Sequence, residues 1–191
     1  MFSFIPHVLT SPLGLSLAPT FNTWAQVTFL HMYTLTCRLR MLPPKLAPIW
    51  HQHLLDQFFF KAEERMIEQH GIVAGSVRSK YLKDLFLQWR GLMAGYDEAL
   101  VKGDAVLATA IWRNVFKATD DVDFREVAQV VDYLRRLLRG VEEIKDGELE
   151  SAAIVFNDPG TGKGAVLTGT RMPKVLASAM QKNAEPQAAA I

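Results

Sequence analysis

The chain has 191 residues, 49% apolar and 21% charged, with a formal net charge of +1. That is one domain's length and enough to bury a real core, and the composition excludes general disorder. The charge total gives no reason to expect nucleic acid, and the single cysteine, Cys37, excludes an internal disulfide and fits a reducing compartment.

The first 37 residues contain no Asp, Glu, Lys or Arg. MFSFIPHVLTSPLGLSLAP, residues 1–19, is apolar, but no basic residue precedes its apolar run, so it is a poor secretory signal. It also lacks the arginines of a mitochondrial presequence. Pro6, Pro12 and Pro19 divide it into pieces too short to span a bilayer. A first helix follows, PTFNTWAQVTFLHMYTLTCRLRM, with Thr20 as its cap and Pro43-Pro44 as its limit. It is apolar almost all round, and such a helix is buried in a core, a partner or a membrane. A protein core is the default here, with interfacial membrane contact and a bilayer span as alternatives. The rest of the chain reads as helices packed around this one.

A second helix runs from Ile49 to His70, with Pro48 in its first turn and Gly71 as its stop. Trp50, Leu54, Leu55, Phe58, Phe59, Ala62 and Met66 recur at helical spacing, with Glu63, Glu64 and Glu68 opposite. A third helix runs from Ser76 to about Val101. Val77, Tyr81, Leu85, Trp89, Leu92 and Tyr96 form its stripe, which Leu82, Phe86, Met93 and Leu100 widen. Gly91 and Gly95 each cost about 1 kcal/mol inside a helix, so another backbone is expected to approach there.

Gly103-Asp104 reads as a stop and a cap before a fourth helix, Ala105 to Lys117, with Leu107, Ala108, Ile111, Trp112, Val115 and Phe116 inward. Asp123, with Glu126 three residues on, opens a fifth helix through a capping box. Its apolar residues, from Phe124 through Val127, Val130, Val131, Leu134, Leu137, Leu138 and Val141 to Ile144, keep the cleanest 3.6 period in the chain. Asp132–Arg136 and Arg139–Glu143 are candidate ion pairs on its wet face. Ala152 to Phe156 reads as a short strand or an apolar hook. The expectation is an all-α domain of about five helices over 20–146. Residues 1–19 form an apolar, partly disordered leading segment, and 147–191 an extended, flexible tail.

Charge is uneven. Arg38 to Thr119 carries 12 basic and 8 acidic residues, Asp120 to Glu150 carries 5 and 10, and the remainder 4 and 2. A solvated surface is the ordinary reading, and a basic face for an anionic partner the other.

The residues assemble no catalytic, cofactor or metal site. In NDPGTGKGAVLTG, Asn157 stands where a phosphate loop needs its first Gly, and Gly164 where it needs Ser or Thr. His51 and His53 are two apart on a helix and cannot share an ion. Cys37 lies in an apolar helix with nothing beside it to favour the thiolate. What remains is a surplus of aromatic residues, 4 Trp and 11 Phe. They fill a core or leave part of their surface for an apolar client.

TFNTWAQVTFLHMYTLTCRLR, HLLDQFFFKAEERM and GYDEALVKGDAVLATAIWRNVF, in that order and spacing, resemble the ubiquinol–cytochrome c chaperone family, assembly factors for respiratory complex III. The likeness runs from about Thr20 to Ile144, and AIWRNVF has the character of fungal members. It implies a non-enzymatic chaperone without cofactor. Such a protein takes newly made cytochrome b as client and acts with a small assembly-factor partner beside the mitochondrial ribosome. Its place is the matrix side of the inner membrane, with peripheral membrane contact and no DNA. Trp24, His31, Arg38, Glu63, Arg65, Tyr96, Asp97, Trp112, Arg113 and Asn114 match the family pattern, without an assigned role for any of them. The partner-binding residues stay unknown at this point. The competing readings are a helical enzyme or ligand-binding protein with a pocket under Trp89 and Trp112, and a peripheral membrane scaffold held by the N-terminal segment.

Overall fold

Thr20 opens the first helix, its hydroxyl accepting a hydrogen bond from the Thr23 N–H at 3.2 Å. In this computed structural model residues 15, 17–149, 153–156 and 165–168 are described. The candidate phosphate loop at 157–164, most of the N-terminal segment and most of the tail lie outside them.

Helix α1 (Phe21–Leu39) is the hub. It buries 16 of its 19 residues, and α2, α3 and α5 all pack against it. Three of the polar residues among them are paired within the helix, while Gln26 Oε1 and Thr36 Oγ1 are buried without a partner among the described residues. Thr28 and Thr34 donate to the carbonyls of Trp24 and Leu30 at 2.7 and 3.1 Å, and His31 Nδ1 lies 2.9 Å from the Val27 carbonyl. A buried hydroxyl or ring nitrogen is costly when unpaired, so these back-bonds lower the cost of a helix that places seven polar side chains in a core.

Helix α2 (Ala47–Glu68) begins with Pro48 in its first turn and buries Trp50, Leu54, Phe58, Ala62 and Met66 against α1. Gly71 takes the left-handed conformation, φ 64°, that lets the chain reverse. Helix α3 (Gly75–Lys102) follows and ends at Gly103, φ 101°. Helix α4 (Asp104–Asn114) folds back onto α3 and packs on α5 (Phe124–Glu142). Asp104 lies in the first turn of α4 and pairs with Arg135, so Gly103 rather than Asp104 is the cap. Asp123 caps α5 by accepting from the Arg125 N–H at 2.8 Å.

A four-residue helix, α6 (Asp146–Leu149), comes next, with Leu149 buried. Then β1 (Ala153–Phe156) pairs antiparallel with β2 (Ala165–Thr168), Ala153 opposite Thr168. Residues 147–168 therefore contain regular structure, and β2 packs on α5. The fold is all-α, as expected, with this two-stranded ribbon appended.

Several expectations are corrected. The stripe of α3 outlasts its core: Val77, Tyr81 and Phe86 are exposed, and burial starts only at Leu85. Phe124 is exposed too. No backbone approaches Gly91, which has open space around it. At Gly95 the neighbour is the Arg113 guanidinium, 3.1 Å from where a Cβ would sit. The Asp132–Arg136 pair forms, whereas Arg139–Glu143 is not among the ion pairs of the described residues. No helix of the described residues is long and apolar enough to cross a membrane.

Candidate functional site

The residues singled out by family pattern fall into three groups and one further pair, Glu63 with Arg78, that tie the helices together. On α1, His31 Nε2 meets the Tyr133 hydroxyl of α5 at 2.8 Å, and the imidazole lies 4.6 Å from the Phe156 ring. Burial lowers its pKa to about 4, only partly offset by the Val27 carbonyl, so the ring is neutral at physiological pH. In the last turn of α1, Arg38 is 4% exposed and donates from Nε and Nη2 to the Ile144 carbonyl at 2.9 and 2.7 Å. It also reaches Asp146. Ile144 lies two residues past the end of α5, and a buried guanidinium fork is suited to take its carbonyl.

The second group sits at the other end of α1. Trp24 stacks on Phe58 at 5.7 Å with the planes 12° apart, and the Arg65 guanidinium lies over the Trp24 ring at 5.0 Å. The third group joins α1, α3 and α4. Asp97 accepts from Arg40 at 2.7 and 3.0 Å and from the Tyr33 hydroxyl at 3.1 Å. The Arg40 hydrogen bond, above all, holds its carboxyl below the usual carboxylate range. Tyr96 is fully buried, edge-on to Tyr33, with Asn114 beside its hydroxyl. Trp112 donates from its indole nitrogen to the Thr119 carbonyl at 2.9 Å. Glu63 accepts from Arg78 at 2.9 Å, tying α2 to α3.

This frame is structural chemistry. Most of its charges tie one element to another, while Arg38 Nη1, Arg65 Nε, the Tyr96 hydroxyl and Asn114 Nδ2 are buried without a hydrogen-bond partner among the described residues. The Cys37 thiol is pushed up by burial, the opposite of what a nucleophile needs. Among the described residues, no three His, Cys, Asp or Glu side chains come together as metal ligands. A cleft of about 440 Å³ opens between α1 and α5, lined by Cys37, Arg38, Met41, Leu100, Arg135, Leu138, Arg139, Val141 and Glu142. Trp89 and Trp112 do not line it. Trp89 instead packs on Phe29 at 5.5 Å.

The surface is more informative. Large apolar side chains stand exposed on the outer side of α2 and at its junction with α3: Phe60 at 63%, Ile67 at 42%, Val73 at 77% and Tyr81 at 49%. Tyr81 reads as core because an apolar residue at helical spacing looks inward whether or not a neighbouring helix reaches it, whereas Phe60 and Ile67 fall off the α2 stripe. The departure of Val73 from any helix was the one available signal.

The sequence matches the family described as Ubiquinol-cytochrome C chaperone over residues 14–156. It is 35% identical over 146 residues to "Protein CBP3, mitochondrial" of Saccharomyces cerevisiae, covering 76% of this chain and 44% of that protein. It is 30% identical over 136 residues to "Ubiquinol-cytochrome-c reductase complex assembly factor 1" of Xenopus laevis, covering 70% and 64%. The Homo sapiens protein of that name is 26% identical over 133 residues, covering 68% and 42%. The chain thus spans about half the length of the curated relatives it matches. The crystal structure of the Cbp3 homolog from Brucella abortus superposes with a TM-score of 0.59 at 21% identity, over 71% of this chain and 72% of that one, a likeness of fold.

Proposed function

This chain belongs to the ubiquinol–cytochrome c chaperone family, and from that premise we propose that it is a non-enzymatic assembly factor for ubiquinol–cytochrome c reductase, complex III. It receives newly synthesised cytochrome b together with a small partner protein, near the mitochondrial ribosome. It works on the matrix side of the inner membrane, in peripheral contact with it. The working unit is 20–146, with 1–19 and 147–191 as flanking segments.

The observation that carries this reading is the extent of the family match, which takes in every one of the five long helices. The named relatives are mitochondrial or are assembly factors of that complex. Two features of the molecule support it. The family-pattern residues tie the helices to one another, as His31 does with Tyr133 and Arg38 with Ile144. Apolar residues such as Phe60 and Ile67 meanwhile remain exposed, available to cover an apolar client.

The test is genetic and biochemical. Removing the gene should leave complex III unassembled, with cytochrome b made but quickly lost. A tagged chain should retain newly made cytochrome b and a small helical protein from matrix extract. Normal complex III in the deletion strain would overturn the proposal.

A further inference from the structure

From Gln69 to Lys83 the sequence has no Asp or Glu, while it has His70, Arg78, Lys80 and Lys83. The fold places this stretch at the tip where α2 turns into α3. Almost all of it is exposed, because nothing in α3 before Leu85 is buried. The apolar side chains Ile67, Val73, Val77 and Tyr81 stand on this tip, and Val73 is the most exposed of them.

Arg78 stiffens the turn. Its Nε bonds Glu63 at 2.9 Å, and its Nη1 donates to the carbonyls of Ile72 and Val73. Lys80 and Lys83 enter no ion pair among the described residues, and neither do the flanking Glu68 and Asp84. Of the acids one turn further back in α2, Glu63 is paired with Arg78 and Glu64 with Lys61.

Exposure and charge point to the occupant. A turn with exposed apolar side chains and two lysines unpaired among the described residues is suited to an apolar boundary that also carries phosphates. The boundary of a bilayer is such a place, where apolar residues sink below the headgroups and lysines stay among the phosphates. Helix α1, the membrane candidate by composition, is enclosed by the fold and cannot play this part.

We propose that the α2–α3 tip is a docking surface for an anionic phospholipid bilayer, with Ile67, Val73 and Val77 entering the interface and Lys80 and Lys83 meeting lipid phosphates. This rests on the peripheral membrane contact in the reading above and assigns it to a place.

The test is sedimentation of the full chain with vesicles of phosphatidylcholine and phosphatidylserine. The chain should co-sediment. Val73→Asp with Val77→Asp should weaken partitioning about tenfold or more. Lys80→Gln with Lys83→Gln should weaken it about 25-fold, roughly fivefold per cation, and added salt should abolish that difference. All four positions are exposed, so both variants should keep the wild-type helical circular dichroism. Vesicle binding that neither variant changes overturns the tip assignment and leaves membrane contact standing elsewhere on the molecule. No binding to vesicles overturns both. Retention on polyuridylate without retention on vesicles makes the tip an RNA surface and overturns the lipid assignment.

Discussion

His31 of α1 and Tyr133 of α5, 102 residues apart in sequence, meet through a 2.8 Å hydrogen bond in the centre of the molecule. Burial sets the protonation of the imidazole, with a pKa of about 4. In the unfolded chain the same ring titrates near 6.5. As pH falls through the window between these values, the unfolded state takes up a proton that the folded state refuses, so stability declines. The loss reaches about 3 kcal/mol at pH 4 and stops growing below it. Urea midpoints should therefore fall more steeply for the wild type than for His31→Gln between neutral pH and pH 4. Parallel profiles would show that His31 does not titrate this way.

Arg38 should behave as a clamp. Arg38→Met takes both of its hydrogen bonds from the Ile144 carbonyl and should cost about 3 kcal/mol in chemical denaturation. Arg38→Lys should restore little of that, because an ammonium cannot make the fork. Asp146→Asn should cost under about 1 kcal/mol, since that carboxylate is mostly in water. Equal losses for Arg38→Met and Asp146→Asn would mean that the ion pair, and not the carbonyl, is what matters.

The two helix glycines should respond differently. Gly91 has open space around it, so Gly91→Ala should raise stability by about 1 kcal/mol. Gly95→Ala should gain less, because Arg113 Nη2 must shift to admit the methyl group. Thermal melts of the two variants would show it, and a larger gain at Gly95 would contradict the Arg113 contact.

Lys117 and Ala118 both carry positive φ, 57° and 52°, in the loop after α4. Neighbouring bonds hold them there: the Ala118 N–H donates to the Trp112 carbonyl at 3.0 Å and the Trp112 indole to Thr119 at 2.9 Å. A left-handed residue with a Cβ costs about 1–2 kcal/mol, so Ala118→Gly should stabilise by about 1 kcal/mol despite glycine's looser unfolded state. A lower melting temperature for Ala118→Gly would argue against this backbone in solution.

The hub was legible in the sequence because a stretch of 37 residues without a formal charge has nowhere to go but inward. Helix α5 was legible because only one side of it is covered, so Val127, Val130, Leu134, Leu137 and Val141 fall on one stripe. The first part of α3 misled for the converse reason. Val77 and Tyr81 continue the stripe of Leu85 and Trp89, and periodicity does not say where the neighbouring helices stop. Helix α6 is too short to leave a period. The frame was invisible as well: His31–Tyr133 and Arg38–Ile144 join residues more than 100 positions apart, and nothing local announces such a pairing. Tyr133 was missed for this reason, its hydroxyl making it look like a surface residue of α5.

The enclosure of α1 also has a cost in time. Within this chain the helix is made before every helix that covers it. His31 waits for 102 further residues to be synthesised before Tyr133 exists to meet it. Until α5 leaves the ribosome, the greasiest helix of the molecule is the one with the least cover. A protein proposed to shelter another nascent chain must thus pass, in its own birth, through the same kind of exposure.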